Sequence, residues 1–209
     1  MTPRILVAGI GNIFLGDDAF GVEVVRRLRQ RAWPDGVRIV DFGIRGFDLA
    51  GALLDGWDFA ILIDAAPRGG PPGTLYVLEP AVDRNALKGR GGAAAVCAAA
   101  PVACDGALDP HSLDPLRVLA LADSLGGALP QILVLGCEPS PLKADEALRA
   151  ELSAPVRAAI AESLALVESL IDRLRRLDPR SQPVSLAALF EGRSDHGSDP
   201  LQAPPASIR

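Results

Sequence analysis

Gly9-Ile10-Gly11-Asn12-Ile13-Phe14-Leu15-Gly16-Asp17-Asp18-Ala19-Phe20-Gly21 is the stretch that decides how this chain is read. The segment before it, Arg4-Ile5-Leu6-Val7-Ala8, has the make-up of a buried strand. After it, Val22, Val25 and Leu28 fall at helical rather than alternating spacing. The stretch is therefore the turn between a first strand and a first helix. In an open α/β sheet such turns, at the carboxyl ends of strands, are where ligands bind.

The ligand class follows from what the turn lacks and what it carries. Gly9-x-Gly11 begins a dinucleotide fingerprint, but its third glycine would fall at position 14, which is Phe14. A phosphate-cradling loop would need a Lys-Ser or Lys-Thr pair after the glycines, and none follows. Asp17 and Asp18 stand where a helix N-terminus would otherwise offer its positive end to a phosphate. Paired carboxylates there repel a polyanion. They suit a metal ion, a proton-transfer role, or capping of the helix itself, worth about 0.5–2 kcal/mol. The turn alone leaves these three open.

Working outward, 209 residues with 49% hydrophobic side chains suit one domain with a sizeable core. The formal charge of −5 gives no basic face for nucleic acid or an anionic membrane. No apolar run reaches the roughly 18–20 residues that span a bilayer. The first strand begins almost at once, leaving no room for a signal peptide, so a cytoplasmic protein is expected. Cys97, Cys104 and Cys137 form no C-x-x-C pair, and an odd count makes no disulfide framework. They read as small buried or loop residues rather than zinc ligands.

Val37-Arg38-Ile39-Val40-Asp41 alternates as a second strand ending in an acid, and Phe42-Gly43-Ile44-Arg45-Gly46 turns into a helix over residues 47–54. Trp57 to Asp64 is a continuous apolar run closed by an acid, the pattern of a strand buried on both faces. Residues 74–78 make a short fourth strand. It follows the third by about ten residues, too few for a parallel crossover, so it is expected at an antiparallel edge. Residues 79–110 are rich in Ala, Gly and Pro and read as a long loop. A helix is expected from Leu113 to Ala122, stopped by Gly126-Gly127, then a last buried strand over Gln131–Gly136. Leu152 to Leu177 is one long amphipathic helix, with Ser153 and Pro155 as cap and first-turn residue. Residues 1–177 thus form the domain, and 178–209 lose periodicity and read as a disordered tail. Alternating strands and helices with short connections imply a three-layer α/β sandwich, its sheet mostly parallel with one antiparallel edge strand.

This topology gathers Asp18 in the first turn, Asp64 at the end of the third strand, and His111 at the mouth of the third main helix. Of two histidines, His196 lies in the tail, leaving His111 for imidazole chemistry. Two carboxylates and one imidazole suit a first-row divalent metal, and not a closed thiolate-rich zinc site. No G-x-S-x-G elbow is present.

The opening stretch resembles the signature G-x-G-N-x-x-x-x-D-[ED]-x-x-G of the nickel-iron hydrogenase maturation endopeptidases. The likeness runs on through Asp41-Phe42-Gly43-Ile44-Arg45-Gly46, Ile63-Asp64-Ala65, Pro110-His111-Ser112 and Gly136-Cys137-Glu138-Pro139, and covers roughly residues 4 to 175. It implies a twisted five-stranded sheet between helices, of the phosphorylase/hydrolase-like kind. It implies removal of a short C-terminal extension from the hydrogenase large-subunit precursor once nickel is in place. The family's metal positions fall on Asp18, Asp64 and His111, completing the coordination of nickel carried by the substrate rather than holding a permanent cofactor. Asp17 or Asp41 would serve as the carboxylate base, and the sequence does not choose between them. Two places depart from the family pattern: Asp18, where Glu is frequent, and the second turn, commonly Asp-Gly-Gly, where Phe42 and Arg45 stand. Two other functions remain in view. One is a nickel-dependent binding module that docks on hydrogenase precursors without cutting them. The other is a nucleotide-dependent oxidoreductase with Asp41 on a ribose, opposed by Phe14 and the acidic pair.

Overall fold

A strand covered on both faces is apolar along its length: Ile5–Ile10 is so throughout, and Phe59–Ala65 and Gln131–Cys137 are except at Asp64 and Gln131. The structure, a computed structural model, describes residues 2–80, 115–141 and 151–178. Its sheet contains β1 (Ile5–Ile10), β2 (Val37–Gly43), β3 (Phe59–Ala65), β4 (Leu75–Leu78) and β5 (Gln131–Cys137) in the order β2-β1-β3-β5-β4. The pairs β1–β2, β1–β3 and β3–β5 are parallel, and β4 closes the edge antiparallel to β5. The expected sheet and its antiparallel edge are both found.

Among the described residues, four α-helices cover the sheet: α1 (Phe20–Leu28), α2 (Gly46–Leu53), α3 (Pro115–Ser124) and α4 (Ala154–Leu174). Alternation along the strands sorts the side chains into two cores. Ile5, Val7, Ile61, Ile63, Leu133 and Leu135 pack with Phe20, Val24 and Leu28 of α1 and Ile160, Val167 and Leu170 of α4. Leu6, Ala8, Ala60, Leu62 and Val134 pack on the opposite face with Leu49 and Leu53 of α2 and Val118 and Ala122 of α3. Burying each large aliphatic or aromatic side chain contributes about 1.5–3 kcal/mol. Truncating a central one, such as Ile61→Ala, would cost about 2–5 kcal/mol. Helix ends are tied as well: the Trp33 indole donates to the Leu28 carbonyl at the end of α1, and Trp57 to Ala52 near the end of α2.

The chain runs from β1 through α1 to β2 on one side, then crosses back through α2 to β3 on the other side of β1. Because the direction of travel reverses, α1 and α2 lie on opposite faces. The boundary between β1 and β3 is thus the topological switch point, where the two following loops diverge and leave a crevice. Asp18 belongs to the loop after β1, and Asp64 closes β3. The helical spacing that predicts 152–177 is realised as Ala154–Leu174. Most of the Ala-rich stretch, His111, residues 142–150 and the tail from 179 lie outside the described residues, as do Cys97 and Cys104. Cys137 is a fully buried free thiol. No helix among the described residues is long and apolar enough to cross a membrane.

Candidate active site

The glycines of the first turn permit its close approach to the strand ends. Gly11 has φ +131°, and a Cβ there would collide with the Asp18 carbonyl oxygen. A Cβ on Gly21 would collide with the carbonyl oxygens of Ile63 and Ile10, which lie on β3 and β1. The turn therefore folds down over the switch point and sets Asp18 above it, in a 3-10 turn over Gly16–Ala19.

The turn's amides satisfy one another. Asn12 N donates to Asp18 Oδ2 at 2.6 Å, while Asn12 Oδ1 accepts from Phe14 N at 3.0 Å. Leu15 N donates to the Asn12 carbonyl and Asp18 N to the Leu15 carbonyl. Amides engaged in this way are not aimed at a phosphate, which removes the structural basis of the dinucleotide alternative. Asp18 is half-buried, and burial raises its carboxyl above the ordinary aspartate value of 3.8, opposed by the single N–H of Asn12. A carboxylate short of donors gains most from a cation.

Capping, the plainest role open to the acidic pair, is not what the two side chains do locally: neither accepts a hydrogen bond from the amides that open the 3-10 turn or α1. Asp17 instead reaches across the molecule. Its Oδ1 accepts from Ser153 N at 2.6 Å, and its Oδ2 accepts from Ser140 N and Ser153 Oγ, both at 2.8 Å. Ser153 is the residue at which α4 begins. The buried Asp17 carboxylate thus fastens the first turn to the start of α4 and to the loop after β5, and its charge faces the positive end of that helix.

Asp64 is buried at the end of β3, in register with Gly136 of β5, and its Oδ1 accepts from Ala65 N. Asp41 is in register with Gly9 on the outer side of β1, and its Oδ2 lies 3.9 Å from Arg26 Nε on α1. The structure therefore brings Asp18 and Asp64 to adjacent strand ends and sets Asp41 one strand further out, toward α1. His111 lies outside the described residues. Among the described residues no three metal-binding side chains gather, since the expected third donor is not one of them.

Within the stretch Gly136–Pro139, two residues take parts that the sequence left unassigned. Glu138 is buried, and its carboxylate accepts from Arg68 N (2.8 Å), Gly69 N (3.1 Å) and the Tyr76 hydroxyl (2.8 Å). Burial alone would raise its pKa, but these donors, with the Gly70 amide, outweigh it and hold the group below its ordinary value. Cys137 beside it is pushed up to about 12, by burial first and then by the charges of Asp17 and Glu138, so its thiol stays protonated. The two residues that depart from the family pattern in the second turn both have structural partners. The Arg45 guanidinium folds back to donate to the carbonyls of Phe42 and Asp41, while Phe42 is buried in the α2–α3 core.

A mostly parallel α/β sandwich with carboxylates at its β1–β3 switch point belongs to the class of α/β proteins that bind ligands at the carboxyl ends of their strands. Comparison with known proteins narrows the class. The family model for hydrogenase maturation protease (HycI) matches residues 22–84. The hydrogenase expression/formation protein HoxM of Azotobacter vinelandii is 33% identical over 93% of this chain and 87% of its own. The hydrogenase 2 maturation protease of Escherichia coli is 31% identical, covering 83% of this chain and 96% of that one. The solved hydrogenase maturating endopeptidase HybD from E. coli superposes with a TM-score of 0.59 at 30% identity, over 81% of this chain and 93% of that chain. The chain belongs to the hydrogenase maturation protease family and is a peptide-bond hydrolase.

Proposed function

We propose that this protease removes the C-terminal extension of a nickel-iron hydrogenase large-subunit precursor after nickel insertion, recognising nickel carried by the substrate. One relative of this fold, from Thermococcus kodakarensis, is described as a [NiFe] hydrogenase maturation protease. What supports the reading is that Asp18 follows β1 and Asp64 ends β3, two neighbouring strands, with one backbone N–H as Asp18's donor among the described residues. Asp18, Asp64 and His111 would complete the coordination of the substrate's nickel. Oxygen and nitrogen donors of this kind suit a borderline divalent ion, and no permanent metal is required. The nickel would fix the scissile segment against the crevice and polarise its carbonyl or a water.

Hydrolysis also needs a group to take the proton of the attacking water. Asp17 has both oxygens occupied by three donors, whereas among the described residues the Asp41 carboxylate pairs with Arg26 alone, at 3.9 Å. Asp41 is therefore the proposed base and Asp17 the fastening residue. In this scheme the water oxygen bonds to the carbonyl carbon, its proton passes to Asp41, and Asp41 returns that proton to the amine nitrogen as the C–N bond breaks.

Intact-mass measurement of nickel-loaded and nickel-free precursor, each incubated with the protease, tests the reading. Loss of a C-terminal peptide from the nickel-loaded form alone is expected, with Asp64→Asn and His111→Ala inactive. Equal cleavage of both forms would remove the role of nickel. A stable complex with uncut precursor would favour the binding-module reading.

A further inference from the structure

Six large hydrophobic side chains are exposed among the described residues, and five of them lie on two neighbouring segments: Ile13, Phe14 and Leu15 in the loop after β1, and Ile44 and Phe47 in the turn after β2 and the first turn of α2. Phe14 and Phe47 are the most open, at 66% and 76%. The two loops leave the sheet side by side, joined by the hydrogen bond from Gly11 N to the Gly43 carbonyl. Scattered single apolar residues on a surface need no explanation, but a concentrated group beside a site marks an interaction surface.

Both loops are built, not slack. Asn12 Oδ1 accepts from Phe14 N, fixing the turn that lifts Phe14 outward, and the same residue's N–H binds the Asp18 carboxylate. The second loop is braced by Arg45, which donates to two carbonyls within it and lies 3.6 Å from Asp48 Oδ2. The apolar crown is thus continuous with the proposed substrate crevice through one residue, Asn12. The crown's own five side chains carry no charge, and beside them Arg45 and Asp48 lie 3.6 Å apart and offset each other, which suits an apolar partner face. Rigid aromatic side chains at low entropic cost are the usual anchors of such contacts.

We propose that this crown is the docking surface for an apolar, uncharged face of the large-subunit precursor beside the scissile segment, seating the protein substrate before cleavage. The inference rests on the protease reading for the identity of the partner but concerns affinity, not chemistry. The test compares wild type with Phe14→Ser/Phe47→Ser by titrating immobilised nickel-loaded precursor and by steady-state cleavage. The variant is expected to raise Kd and KM by about 10-fold or more while kcat at saturating precursor stays within about twofold. Wild-type Kd is expected to change by less than about threefold between low and high salt, because the contact is not ionic. An unchanged Kd in the variant would overturn the proposal. So would a wild-type dimer that the variant abolishes in sedimentation, or a drop in the variant's thermal midpoint showing that the phenylalanines are packed within the chain. If wild type binds but never cuts, and the variant loses binding, the docking surface stands and the protease reading fails. If wild type cuts and the variant binds equally, the reverse holds.

Discussion

Asp18 and Glu138 are both carboxylates set just beyond the carboxyl end of a strand, yet their surroundings push them in opposite directions. Glu138 is the more deeply buried and still lies below its ordinary pKa, because three amides and a tyrosine hydroxyl point at it. Asp18 is only half-buried and lies above its ordinary pKa, because a single amide compensates for the water it has lost. Donor count, not depth, separates them. A carboxylate saturated with donors is committed to architecture, here the tie between the loop after β3 and the β4–β5 edge. One that has a single donor among the described residues gains most from a cation, which is the basis for proposing that Asp18 meets the substrate's nickel.

The largest test of this contrast is Asp18→Asn, which keeps an oxygen for the Asn12 N–H and removes the charge. Cleavage of nickel-loaded precursor is expected to fall by about 10³-fold or more, since a neutral amide is a poor ligand for a divalent ion. The thermal midpoint of the metal-free protein is expected to hold or rise slightly, because an under-compensated charge has been removed. A clear fall in midpoint would show that Asp18 is a structural group like Glu138, and the contrast would collapse.

Glu138→Gln should behave in the opposite way. The amide keeps one acceptor but sets an NH2 group against N–H donors, so a loss of about 2–3 kcal/mol is expected, or about 5–10 °C in midpoint. Cleavage per folded molecule should stay near wild type. The pH dependence has a definite sign. Because the folded pKa lies below the ordinary 4.5, Glu138 contributes its full stability above 4.5 and loses it as pH falls through the lower folded value. Denaturant titrations below pH 4.5 should therefore show a shallower acid loss in Glu138→Gln than in wild type. Parallel slopes would mean that the donor cage does not lower this carboxyl.

Much of the fold was legible because it rests on local pattern. A run such as Phe59-Ala-Ile-Leu-Ile63 can only be a strand covered on both faces, and the acid that ends it had to emerge at the sheet's carboxyl edge. The ten-residue gap before β4 excluded a parallel crossover and so fixed its direction. Asp18 and Asp64 followed from the same topology. What no local pattern carries is partnership across the chain. Asp17 and Ser153 are 136 residues apart, and Glu138 reaches Arg68 over 70. The sequence therefore read Asp17 as a local cap or catalyst, while the packing of α4 gave it a distant helix to hold. Phe14 likewise read only as a missing glycine, because outward display of an aromatic is a property of the folded turn.

The smallest expected effect discriminates most sharply between the two neighbouring acids of the first turn. In Asp17→Asn the side chain keeps its shape, and one oxygen still accepts from the Ser153 or Ser140 amide. The other position becomes a donor facing a donor, costing about 1–2 kcal/mol. That is a few degrees in midpoint for a domain of this size. If Asp17 is a fastening residue, cleavage measured well below the midpoint should be nearly that of wild type, and any deficit should grow with temperature as the α4 junction loosens. A base cannot be replaced by an amide in this way. Loss of cleavage at low temperature in a fully folded Asp17→Asn, with Asp41→Asn still active, would exchange the roles of the two residues. It would also mean that three well-formed hydrogen bonds do not disqualify a carboxylate from chemistry, so that donor count alone would no longer tell the working acids of this crevice from the architectural ones.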